Sequence, residues 1–116
     1  MRRDNREKTA IALSELETRV PELLDDVQNS LFSRAADNLN QNTRSAGTID
    51  EVKTILAEHG GFIKAMWCGG LECEMKMKDE AGVSSRCIPF EQERVGDTCA
   101  VCGKPADTMV VWGVAY

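Results

Sequence analysis

The chain lacks any apolar run approaching the roughly 20 residues that a membrane span needs, and charged residues, 28% of the total, interrupt its hydrophobic stretches. No membrane role is expected. No apolar stretch follows the opening MRRDNREK, so no secretory signal is read there and a cytoplasmic location is expected. Histidine occurs once. That residue, His59, stands in Glu58-His59-Gly60-Gly61, which reads as a helix end with glycine as the stop signal rather than as a base or ligand. There is no glycine-rich phosphate loop, and no Ser-His-Asp, Cys-His or metal-water constellation, so no catalytic residue is assigned to this chain. Basic residues do not gather either. Arg2, Arg3, Arg6 and Lys8 cluster at the start, but from Cys68 onward eight acids face five bases, and the net charge is -5. That is a poor electrostatic footprint for nucleic acid.

What the chain does have is five cysteines, four of them in two short pairs, Cys68-x4-Cys73 and Cys99-x2-Cys102. Two close pairs can supply the four thiolates of a structural zinc site, each sulfur about 2.3 Å from the ion. A disulfide framework fits less well, because it belongs to small secreted chains with an even cysteine count. A redox pair fits poorly too. Its C-x-x-C normally opens a helix, whereas Cys102 runs straight into Gly103-Lys104-Pro105. Gly69 and Gly103 directly follow a cysteine of each pair, where a metal knuckle turns sharply and can aim backbone N–H groups at sulfur. Lys64, Lys76 and Lys104 lie near enough in sequence to temper thiolate charge, although solvent exposure is the simpler reading of each. Cys87, alone in Ser85-Arg86-Cys87-Ile88-Pro89, is expected to be a small core residue. Met66, Met75, Met77 and Met109 are read as core filling, and Glu72, Glu74, Asp79 and Glu80 as a solvated helix face.

At 116 residues the chain is the size of one domain. Thr9 to Leu13 reads as a possible strand. Leu16, Val20, Leu23, Leu24, Val27, Leu31, Ala35 and Leu39 recur three or four apart and predict a helix over 17–40, with Pro21 in its first turn. Residues 40–47 read as a loop. Thr48 with Glu51 three residues on is a capping box opening a helix through Glu58, with Val52, Ile55 and Leu56 inward. Strands are predicted over 62–67, 86–90 and 109–115, with a helix over 71–81 closed by Gly82. The fold class is therefore α+β: N-terminal helices followed by a small antiparallel sheet with a four-cysteine zinc site.

The ordered set Arg2-Arg3-Asp4 with Glu7-Lys8, Trp67-Cys68-Gly69, Glu72-Cys73-Glu74, Arg86-Cys87-Ile88-Pro89, Cys99-x2-Cys102-Gly103-Lys104-Pro105-Ala106 and the final Ala115-Tyr116 resembles the C-terminal end of archaeal and eukaryotic-type prolyl-tRNA synthetases. The resemblance spans nearly the whole chain. It implies a C-terminal zinc-binding domain that follows the catalytic and anticodon-binding domains of a class II synthetase. On this basis 1–13 would be the end of the anticodon-binding domain, 14–60 a helical segment and 61–116 the zinc-binding α+β segment, with 14–116 forming one C-terminal domain. The family's zinc ligands map onto Cys68, Cys73, Cys99 and Cys102, and Cys87 is not among them. The carboxylate of the terminal tyrosine, here Tyr116, would reach toward the active site. ATP and Mg would serve only the parent enzyme, which acts as a homodimer charging tRNA for proline. Gly70-Leu71 and Gly113-Val114 depart from the family's usual residues, and Gly113 weakens a strand locally. This chain alone would be inactive. Two other readings compete: a free-standing zinc module binding a protein or nucleic acid, and a thiol-disulfide enzyme using Cys99 and Cys102.

Overall fold

A computed structural model describes residues 1–115. Contacts divide the chain into two units, one of residues 1–40 and one from Gln41 onward. In the first, α1 (Leu16–Gln41) follows a short 3-10 turn at Leu13–Glu15. The helix buries no residue completely. Its inward face, Leu23, Val27 and Ser30, is half-buried. Against α1, the Arg2 guanidinium holds Asp4 at 2.8 Å and Arg34 donates to the Asp4 carbonyl at 3.4 Å. Two expectations fail in this unit. Residues 9–12 form no strand, because no neighbouring strand is there to take their backbone groups. Pro21 lies beyond the first turn, inside the helix, where it withholds the N–H that would reach Glu17.

The second unit is a four-stranded sheet covered by two helices: β1 (Thr43–Ser45), α2 (Ile49–Glu58), β2 (Phe62–Trp67), α3 (Leu71–Ala81), β3 (Val83–Cys87) and β4 (Thr108–Val114), with strand order β1-β2-β4-β3. The fold is α+β, as read from the sequence. β4 pairs antiparallel with both neighbours, while β1 runs parallel to β2, so the sheet is mixed, which corrects the expectation of an antiparallel sheet. β1 lies in the stretch read as loop. Its polar Thr-Arg-Ser has no apolar signature, and the parallel edge position is set by backbone pairing instead. Gly61, at φ +87, makes that pairing possible: a Cβ there would fall 2.2 Å from the Asn42 carbonyl oxygen, which accepts the Phe62 N–H at 2.8 Å.

Thr48 caps α2, its hydroxyl accepting the Glu51 N–H at 3.3 Å, while the Glu51 carboxylate reaches back past the cap to the Gly47 N–H at 2.7 Å. α3 ends at Gly82, whose φ of +68 suits the left-handed stop. The alternation of β2 and β4 splits their side chains between two buried clusters. Ile63 with Trp112 and Ala65 with Val110 are directly paired across the strands and join Val52, Met77 and Val83 in the main core. Met66 and Met109, also a pair, join Cys73, Cys99 and Ala106 in the second. Met75 is exposed, contrary to its reading as core, because it lies on the opposite side of α3 from Cys73 and Met77. Met66, Met77 and Met109 are buried.

Candidate metal centre

The second cluster is where the four paired cysteines meet. β2 ends at Trp67, and the chain turns through Cys68 and Gly69, at φ +84, before α3 begins. The Trp67 indole N–H braces this turn by donating to the Gly70 carbonyl at 3.1 Å. Cys73, on the first turn of α3, is buried and donates its backbone N–H to the Gly70 carbonyl at 3.1 Å. The second knuckle is closed by two backbone bonds: Cys99 N–H to Lys104 carbonyl at 2.8 Å, and Gly103 N–H to Cys99 carbonyl at 3.0 Å, with Gly103 at φ +70. Ala100 couples it to the rest of the unit. Its N–H donates to Met66 at 3.0 Å and its carbonyl accepts from Ile49 at 2.9 Å, so strand β2, the start of α2 and the knuckle share one residue.

These turns place the Cys68 and Cys73 sulfurs 3.6 Å apart and those of Cys68 and Cys102 3.7 Å apart. The four sulfurs all lie within 4.8 Å of one another, and they could hold a metal ion. A disulfide would require about 2.05 Å, so all five thiols are free. Four sulfurs each about 2.3 Å from a central ion in a tetrahedron stand about 3.8 Å from each other. The donor set therefore fits zinc in number, type and spacing.

The thiols are electrostatically unequal. Burial, with neighbouring thiols adding to it, pushes Cys73 up to about 12. Burial also opposes ionisation of Cys99, but backbone hydrogen bonds from Cys102, Val101 and Cys68 outweigh it and bring Cys99 down to about 7. The knuckle backbone is thus already arranged to stabilise a thiolate. A divalent cation would supply the opposite charge that the buried partners lack.

Other residues singled out in the sequence lie elsewhere. Lys64 pairs with Glu93 and Lys76 with Glu80, while Lys104 contributes its carbonyl. His59 caps α2, its N–H donating to the Ile55 carbonyl at 2.8 Å. Cys87 is exposed, which corrects the expectation of a core position. β3 covers 83–87 rather than 86–90, and a register shift between Ser85 and Cys87 re-aims the side chains at its end. Pro89, which has no N–H to donate, follows the strand's end. Tyr116 lies outside the described residues. The roles of Ala100 and the Trp67 indole had no signal in the sequence, since one acts through its backbone and the other through a contact made only after folding.

A family model described as "Prolyl-tRNA synthetase, C-terminal" matches residues 49–116. Among curated proteins, the chain is 53% identical over all 116 residues to the proline–tRNA ligase of Clostridium novyi (strain NT), covering 24% of that protein. It is 51% identical, over the same share, to the proline–tRNA ligase of Oceanobacillus iheyensis. Among solved structures, it resembles the prolyl-tRNA synthetase of Cryptosporidium parvum complexed with L-proline and AMP, with a TM-score of 0.88 and 34% identity over 98% of this chain and 24% of that one. The chain spans about a quarter of the length of the relatives it matches.

Proposed function

The chain belongs to the C-terminal family of prolyl-tRNA synthetases, and from that premise we propose that it is the structural, zinc-stapled C-terminal domain of a proline-tRNA ligase. One observation carries this reading: all 116 residues align with proline–tRNA ligases, yet they occupy only 24% of their length. Proline activation with ATP and Mg, and transfer to tRNA for proline, are accordingly assigned to the rest of a parent enzyme, working as a homodimer in the cytoplasm. Residues 1–13 would end the anticodon-binding domain and 14–116 would form the C-terminal domain, with the metal in 61–116.

Zinc is the ion assigned to Cys68, Cys73, Cys99 and Cys102, because four thiolates at tetrahedral spacing suit that ion, and the closed set leaves no open position for a reacting water. Its chemistry there is structural: binding energy becomes folding energy, since the unfolded chain has no formed site. The chain's own residues do the positioning. Gly69 and Gly103 turn the knuckles, the Ala100 backbone ties them to β2 and α2, and Met66 and Met109 close the apolar floor. β4, paired on both sides, leads toward the C-terminus. We assign the Tyr116 carboxylate a place near the parent's active site.

The test is a chimera. This chain replaces the matching last quarter of the Clostridium novyi ligase, and proline-dependent ATP–pyrophosphate exchange is measured. The reading predicts an active enzyme that loses most of its rate when Tyr116 is trimmed, with zinc retained. A folded, zinc-loaded chimera without exchange activity would contradict it.

A further inference from the structure

Helix α1 is 26 residues long, yet no residue of 1–40 is buried. Helices in proteins draw most of their stability from packing an apolar face, and α1 carries such a face uncovered. Leu16, Val20, Leu24 and Leu31, spaced four, four and seven apart, lie on one side of the helix. Leu24 is 64% exposed and Leu31 48%. Phe32 and Leu39, also exposed, widen the stripe. The adjoining line of Leu23, Val27 and Ser30 is half-buried, and an open groove lined by Ile11, Val20, Leu23, Leu24 and Val27 runs beside it. A contiguous exposed apolar stripe of this length marks an interaction surface.

We propose that the stripe Leu16, Val20, Leu24 and Leu31 is the seam by which this chain docks on the larger, preceding part of the parent ligase, whose own apolar face completes the core that residues 1–40 lack. The seam rests on the synthetase reading. Three observations select this occupant. The family match covers 49–116, which falls inside the second unit and leaves α1 outside it. The alignment with proline–tRNA ligases does include α1, yet it spans only 24% of their length, so about three quarters of such an enzyme is available to cover the helix. Charge disfavours the alternatives. α1 carries five acids against two bases, so a second copy laid along it would bring like charges together. An anionic lipid surface would repel the same helix, since interfacial helices carry a basic polar face.

The test follows amide hydrogen exchange along α1 by mass spectrometry, in the zinc-loaded chain alone and in the full-length chimera with the Clostridium novyi ligase. The chain alone should sediment as a monomer. In the chimera α1 should exchange at least about tenfold more slowly, as burial of one or more leucines implies. Leu24→Lys and Leu31→Lys should change exchange in the chain alone by less than about twofold, because both positions are exposed there. In the chimera the same substitutions should cancel most of the protection. Asn29→Lys, exposed on the far side of the helix, should leave both proteins unchanged. Proline-dependent ATP–pyrophosphate exchange by the unsubstituted chimera reports the synthetase reading separately. An active chimera whose α1 is as unprotected as in the chain alone would therefore overturn the seam and leave that reading standing. A dimeric chain with α1 already protected, or equal effects of Leu24→Lys and Asn29→Lys in the chimera, would overturn it as well.

Discussion

The sulfurs of Cys68 and Cys102 stand 3.7 Å apart although 34 residues separate them. That distance is too long for a disulfide and matches the edge of a four-sulfur tetrahedron about 3.8 Å on a side. Helix α3, the edge strand β3 and residues 88–101 of the connection that follows lie between the two residues, so the geometry depends on those elements all being in place.

Replacing a sulfur should separate ligand from bystander. Cys99→Ser should weaken metal binding by roughly 100-fold, about 2.8 kcal/mol at about 1.4 kcal/mol per tenfold. Cys87→Ser, at an exposed position, should change stability by less than about 0.5 kcal/mol. Competition against a zinc indicator and urea denaturation read the two effects.

Gly61→Ala and Gly60→Ala test the parallel edge. Both glycines have positive φ, +87 and +67, but only at Gly61 would a Cβ strike backbone, the Asn42 carbonyl oxygen at 2.2 Å. Gly60→Ala should cost about 1–2 kcal/mol from backbone conformation alone. Gly61→Ala should cost clearly more and speed amide exchange at Phe62, whose N–H bonds to Asn42.

The α2 cap gives a smaller effect. Thr48→Ala removes the hydroxyl that accepts the Glu51 N–H at 3.3 Å, and a loss of about 1 kcal/mol in urea denaturation is expected. Thr48→Asn should recover most of it, since asparagine caps as well as threonine.

Acid should loosen the fastening at the start of the first unit. The Arg2 guanidinium holds the Asp4 carboxyl down at about 2. A carboxyl whose folded value is depressed contributes stability above its unfolded value, near pH 4, and loses it as pH falls toward the folded value. The fastening of residues 1–8 on α1 should therefore weaken between about pH 4 and pH 2, as seen in amide shifts of that segment. Asp4→Asn should abolish that pH dependence.

Periodic and capped elements were readable in advance, because their signals are local. α1 and α3 fall within a residue of the ranges that apolar spacing and Gly82 implied, and Thr48 with Glu51 marked the start of α2. β1 was not readable, since three polar residues become a strand only through hydrogen bonds offered by β2. β3 was displaced toward Ile88 and Phe90, whose apolar character suggested burial; both are exposed. Apolar residues outside the core are ordinary on protein surfaces, so composition alone could not place that boundary. At the metal centre the cysteine spacing carried the candidate ligands, whereas the backbone coupling through Ala100 appears only once two distant segments meet.

The central claim is that Cys68, Cys73, Cys99 and Cys102 together hold one structural zinc. Its most direct measurement is elemental analysis of the purified, dialysed chain, followed by circular dichroism during titration with a strong chelator. The account predicts about one zinc per chain and a loss of sheet signal as the metal is withdrawn, restored by adding zinc back under reducing conditions. A fully folded, cooperatively melting chain with no bound metal, indifferent to added zinc, would contradict it.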